Sequence, residues 1–148
     1  MTWFYNGEPF TSDMICDYIG FVYQITDTRN GKKYIGKKGL ISKRKLPPLK
    51  GMKRRRIKII ETDWQIYTGS NDVLNQLVEE HGIEKFYREI LHLCKTKGEM
   101  NYLELYEQVQ RNVLLSDEYY NGIIQAKIHR NHVKNLNLEE VTDVEDFY

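Results

Sequence analysis

Apolar and polar positions change their spacing twice along this chain. Residues 19–26 (IGFVYQIT) are a run of β-branched and aromatic residues, which predicts a strand. Asn30-Gly31 follows as a strong hairpin signal, because both residues tolerate positive φ, and residues 33–36 (KYIG) supply the return strand. Pro47-Pro48 exclude a long helix, so residues 37–60 read as an insertion with a short helical piece near Ile41 to Lys45 and a mobile basic loop after it. Asp63 to Tyr67 reads as a helical turn. The apolar spacing then becomes i, i+3/i+4 at Val73, Leu74, Leu77 and Val78. That predicts a helix over 71–80, capped by Ser70 and stopped at Gly82. Residues 86–94 (FYREILHLC) alternate as a third strand. A longer helix over 99–115 turns Leu103, Tyr106, Val109 or Gln110, and Val113 inward.

These elements predict an α/β fold: a small, three-stranded, mainly antiparallel sheet flanked by helices, over residues 18–134. Residues 1–17 hold Trp3, Phe4, Tyr5 and Phe10 without a clear period and read as an N-terminal arm. The acidic stretch 135–148 reads as a disordered tail. At 148 residues, 41% hydrophobic and 29% charged, one core is the simplest organisation.

Charge changes the picture more than composition does. The formal net charge is +1, yet Lys32 to Lys58 holds thirteen basic residues and no acid, leaving nine Lys or Arg elsewhere against all 21 acids. Such a dipole points to a polyanionic partner. Lys37, Lys38, Lys43, Lys45, Lys53, Arg54, Arg55, Arg56 and Lys58 are the candidate contacts. Cys16 and Cys94 show no pairing pattern and read as buried thiols. No apolar run has membrane-span length and the N-terminus lacks the shape of a signal peptide, so a soluble, cytoplasmic protein with no membrane partner is expected.

The chemistry-bearing residues cluster around the predicted hairpin. Tyr23 and Tyr34 fall on adjacent strands, with Lys33, Lys37, Lys38 and Arg44 in the same segment. A phenol ionises near pH 10, and cationic neighbours are the means of lowering that value. His129 and His132 lie three apart but have no evident third ligand, so they read as surface histidines rather than a zinc site.

GFVYQI and KYIGKK, joined through TRNGK, resemble the two halves of the GIY-YIG nuclease motif. The stretch DWxxYxGS (Asp63 to Ser70) and the segment from Glu89 to Cys94 resemble the Seg-type (SegE-like) phage homing endonucleases in particular. The resemblance spans roughly Gly20 to Val133. It implies a metal-dependent endonuclease that hydrolyses double-stranded DNA, located in the host-cell cytoplasm. It further implies Tyr23 as general base or water-positioning phenol, Tyr34 orienting water or phosphate, Arg44 holding the phosphate, and Asn121 bracing the site. Glu104 would hold Mg2+, with Mn2+ as a possible substitute and Glu107 as the alternative ligand. Two other readings use the same residues: a non-catalytic nucleic-acid-binding protein retaining the fold, and an interaction protein recruiting a partner through its acidic tail.

Overall fold

The computed structural model describes residues 2–136. The acidic stretch expected to be a tail lies, from residue 137 on, outside the described residues. Seven strands form in chain order: β1 (Trp3–Tyr5), β2 (Glu8–Phe10), β3 (Gly20–Asp27), β4 (Lys33–Gly39), β5 (Ile41–Leu46), β6 (Arg56–Glu61) and, after helix α1 (Asp72–His81), β7 (Phe86–Cys94); helix α2 (Lys97–Gln110) follows. The main sheet has five strands in the order β2-β1-β7-β3-β4, and β5 and β6 make a separate two-stranded ribbon.

The three expected strands are present side by side as β7-β3-β4, but the sheet is wider and mixed. The N-terminal arm folds into the hairpin β1–β2, and β1 runs parallel to β7. Burial drives this addition. Trp3 is buried edge-on against Phe21 and Tyr23, with ring centroids 4.9 and 5.2 Å away, and its indole N–H donates to the Trp64 carbonyl at 2.7 Å. The expected helical piece near Ile41 to Lys45 is instead strand β5, paired residue for residue with β6. The prolines rule out a helix but tolerate a ribbon, because they sit in the connection between its strands.

Other expectations shift by small, explicable amounts. The hairpin between β3 and β4 turns through residues 28–32, where only Gly31 adopts positive φ, rather than through a two-residue turn. Asn71, not Ser70, caps α1, its side chain accepting the Leu74 N–H at 2.9 Å. Val73 and Val109 are exposed, so each helix buries a narrower stripe than expected. α2 ends at 110 rather than 115 because Asn112 turns left-handed, and the N–H groups of Asn112 and Val113 return to the carbonyls of Val109 and Gln108. Cys94 is buried as expected, but Cys16 is exposed. After α2 the described residues hold an isolated bridge from Tyr119 to Lys33 and a short 3-10 turn at Arg130–His132, which His129 caps; no group of three metal-ligating side chains occurs among them.

The two faces of the sheet are covered differently. One face packs Phe21, Tyr23 and Ile25 under α1 and the Trp64 turn; the other packs Val22, Ile35 and Cys94 under α2. The α2 side carries a buried charge network. Both oxygens of Glu107 are engaged, Oε1 by His92 Nε2 and Oε2 by Arg111 Nε, each at 2.8 Å, and Arg111 reaches on to Gln24 at 3.0 Å. Burial alone would raise the Glu107 carboxyl, but the His92 and Arg111 hydrogen bonds outweigh it and hold the group below its usual value. In Glu107→Ala the partly buried His92 loses this carboxylate and Arg111 keeps only its other partners, Gln24 among them, so we expect a loss of about 3–5 kcal/mol in urea unfolding. The network's contribution is complete above the ordinary carboxylate range and is lost as acid titrates the depressed folded-state group, so the difference between wild type and variant should shrink at low pH.

Candidate active site

The hairpin builds one wall of the site. Tyr23 of β3 stands directly opposite Gly36 of β4, and a register shift between Val22 and Tyr23 on the β7 side aims the ring. The hydroxyl end of the ring comes close to Gly36: a Cβ there would stand 2.6 Å from Tyr23 Cζ. Glycine at this position is therefore a steric requirement of close approach rather than of φ. Tyr34, two residues earlier on the same face of β4, sits with its ring centroid 6.2 Å from that of Tyr23.

The second wall is the segment between the Trp64 turn and α1. Tyr67 meets Tyr23 edge-on with centroids 6.0 Å apart. Gly69, at φ +95, lets the chain pass beside both phenols, and the Ser70 hydroxyl is 3.0 Å from that of Tyr34. Arg88 of β7 anchors this segment from below. It is buried, donates from Nη1 to the carbonyls of Gln65 and Tyr67 at 3.0 and 2.8 Å, and stacks on Trp3; burial depresses its guanidinium to about 10. Lys38 closes the same wall, with Nζ 2.6 Å from Asp63 Oδ1 and 4.3 Å from the Tyr67 ring centroid.

The third contribution comes from α2, where Glu104 lies on the helix packed against the opposite face. Its carboxylate nevertheless faces the protein. The side chain is only 15% exposed, Lys37 Nζ is 3.9 Å away, and its charge raises both phenols. Burial pushes the Glu104 carboxyl up and Lys37 only partly offsets this. Lys37 itself is hydrogen-bonded to Asn101. Glu107, three residues on, has both oxygens engaged, by His92 and Arg111, whereas Glu104 has only Lys37 close by.

The phenols depart from expectation. Tyr23 is fully buried, its hydroxyl has no hydrogen-bond partner among the described residues, and burial, followed by the neighbouring phenols Tyr67 and Tyr34, holds it well above its ordinary value. Tyr34 is also raised by burial, moderated by Ser70. Cationic neighbours were expected to lower both, but Lys37 and Lys38 are engaged by Asn101, Glu104 and Asp63. Arg44 is not brought into the cluster. It is exposed on β5 opposite Lys58 and makes no side-chain hydrogen bond or ion pair among the described residues. Asn121 acts on the backbone: its Oδ1 accepts the Ile35 N–H at 3.0 Å and its Nδ2 donates to the Ile35 carbonyl at 2.8 Å. Of the expected basic contacts, Lys43, Lys45, Arg56 and Lys58 lie on the ribbon and Lys53, Arg54 and Arg55 in the connection between its strands.

Tyr67, Ser70 and Arg88 were not among the site residues expected from sequence. The first two belong to the DWxxYxGS stretch, which was the available signal; Arg88 gave none. As for metal, Glu104 is a largely desolvated carboxylate whose charge is incompletely offset, and the described residues supply no three-ligand cage. That donor set fits a magnesium-type ion, which takes one or two carboxylates and completes its shell with water and phosphate oxygens. Neither of the best-formed concavities, one beside Phe4 and Tyr87 and one beside Tyr102 and Val109, includes the phenols or Glu104.

Residues 3–124 match the family model described as "Putative endonuclease segE, GIY-YIG domain". The chain belongs to this family. The match covers most of the protein, including every wall of the site just described. No curated protein and no solved structure was found to match the chain. Within the GIY-YIG frame, Tyr23 and Gly36 are held by mutual packing and Asn121 by its grip on β4. No helix among the described residues is long and apolar enough to cross a membrane.

A methyl group added to Gly36 must displace the Tyr23 ring. Gly36→Ala is expected to cost about 1–3 kcal/mol in chemical denaturation and to alter the near-ultraviolet circular dichroism of the tyrosines. An unchanged spectrum and midpoint would show that the ring is not held there.

Proposed function

We propose that this protein is a magnesium-dependent endonuclease that hydrolyses phosphodiester bonds of double-stranded DNA, a freestanding homing-type enzyme of phage kind. The supporting observation is Glu104: a largely buried carboxylate beside Lys37 whose charge is only partly compensated and is felt by both phenols. When bound there, the divalent ion supplies Lewis-acid polarisation of the phosphate and stabilises the departing 3′ alkoxide.

The chain's own groups then divide the work. Tyr34 is half-buried and its hydroxyl shares a hydrogen bond with exposed Ser70, so it can orient the attacking water and pass a proton outward as it accepts one. Because both phenols are held neutral, neither is a resting base. Tyr23, sealed from solvent, supports the position of Tyr34 and Gly36, and the role expected of it as general base passes to Tyr34. Lys37 and Lys38 flank the cluster and attract the phosphate. The alternative, a non-catalytic nucleic-acid-binding protein with this fold, is favoured by one observation: Arg44 contacts none of the phenols.

Supercoiled plasmid, incubated with magnesium, with manganese and with chelator, decides between the two. Nicking is expected with either metal and none with chelator. Glu104→Ala should lower the rate at least about a hundredfold, Tyr34→Phe about a hundredfold or more, and Tyr23→Phe less than about tenfold because its hydroxyl has no partner. Binding without nicking in either metal would support the alternative.

Phosphate neutralisation by the basic segment also predicts salt dependence. Logarithmic affinity for duplex DNA, measured without divalent ion, should fall linearly with log salt at about 0.9 per phosphate contacted. A flat dependence would remove the basic segment from DNA binding.

A further inference from the structure

The ribbon β5–β6 is exposed over most of both strands, and its strands pack chiefly on each other. Its register sorts the side chains onto two faces. Ser42 and Ile60, Arg44 and Lys58, and Leu46 and Arg56 share one; Lys43 with Ile59 and Lys45 with Ile57 share the other. Arg44 therefore stands directly opposite Lys58, a like-charge pair that works against the ribbon. A two-stranded ribbon is marginal in water even without such a pair. Among the described residues no acid forms an ion pair with Arg44, Arg56 or Lys58. Nothing within the fold explains why this face is basic.

The ribbon is also rooted in the site at both ends. β5 starts two residues after β4 ends, and at the other root Thr62 donates its N–H to the Leu40 carbonyl at 3.0 Å and its hydroxyl to the Gly39 carbonyl at 2.6 Å. The next residue, Asp63, holds Lys38, and the chain runs on to Tyr67 and Ser70. Whatever the ribbon grips is placed relative to the phenols through a few fixed residues.

We propose that the ribbon lies in the major groove of the DNA being cut, with the Arg44, Arg56 and Lys58 face toward the base edges and the cations of the connection, Lys53 to Arg55, on flanking phosphates. The inference rests on the reading of the chain as a duplex-DNA endonuclease. Strands about 4.8 Å apart and six residues long form a ribbon about 20 Å in length. The major groove, about 12 Å wide, admits such a ribbon, whereas the minor groove at about 6 Å does not without deformation. Arg and Lys are the side chains that read guanine edges there. The ribbon thus sets where along the duplex the phenols and Glu104 act.

The test measures binding without divalent ion, so that no cutting occurs, on three forms of one mixed-sequence duplex: unmodified, with cytosines carrying a glucosylated 5-hydroxymethyl group that fills the major groove, and with netropsin on its A·T steps in the minor groove. Wild type should lose about tenfold or more on the major-groove-filled duplex and less than about twofold with netropsin. The double variant Arg56→Gln/Lys58→Gln, with an unchanged urea midpoint, should bind the plain duplex more weakly and no longer distinguish it from the filled one. Equal wild-type affinity for plain and filled duplex, stronger competition by netropsin, or full discrimination retained by the double variant each overturn the proposal. Plasmid nicking separates the two readings: nicking without groove discrimination removes the ribbon inference alone, and absence of DNA binding removes both.

Discussion

Asn121 grips the backbone of Ile35 from outside the sheet, and the geometry of the site follows from that grip. β4 is an edge strand, and an open edge leaves N–H and C=O groups free to pair elsewhere. Here the Asn121 carboxamide takes both polar groups of Ile35, Gln108 adds a second donor to the same carbonyl at 3.2 Å, and the Lys33 backbone bonds to Glu118 and Tyr120. Each such bond contributes only about 1 kcal/mol net, but a buried backbone group left unpaired costs more. Pinned on both sides, β4 presents Tyr34 and Gly36 in fixed directions. Tyr23 then has a single place to lie.

Glu104 and Glu107 show how one helix gives the same side chain opposite fates. Glu107 points into the layer between α2 and the sheet, where His92 and Arg111 satisfy both oxygens and keep it ionised. Glu104, nearly one turn earlier, has among the described residues a single ion-pair partner, Lys37 at 3.9 Å. A satisfied buried charge is structural and resists exchange of partners. An under-compensated one keeps its charge available, so electrostatic balance separates the two glutamates where residue type does not.

Part of the site was legible before folding was considered. The run IGFVYQIT, the turn glycine and the second tyrosine-glycine cluster are local signals, and the central hairpin follows from them. Cap chemistry nearly located α1: Ser70 and Asn71 are both good caps, and which one serves depends on Tyr34, whose hydroxyl engages Ser70. Arg88 was silent because an arginine in FYREILHLC reads as a solvent-facing strand position. It is buried only because the Trp3 ring and the carbonyls of Gln65 and Tyr67, distant in sequence, converge on it. The ribbon was missed since its strands are rich in like charges, which suggest a loop unless their register is known.

The order of residues by itself determined the hairpin, the family, the break at the prolines and the concentration of positive charge between Lys32 and Lys58, because each depends on neighbours a few positions apart. Only the tertiary structure decided which glutamate is tied up by His92 and Arg111, that burial raises both phenols, that Arg44 stands away from them, and that the N-terminal residues complete the sheet. These outcomes depend on desolvation and on contacts between segments up to some ninety residues apart, such as Asn121 with Ile35. Burial is a property of the assembled fold, and no stretch of sequence carries it alone.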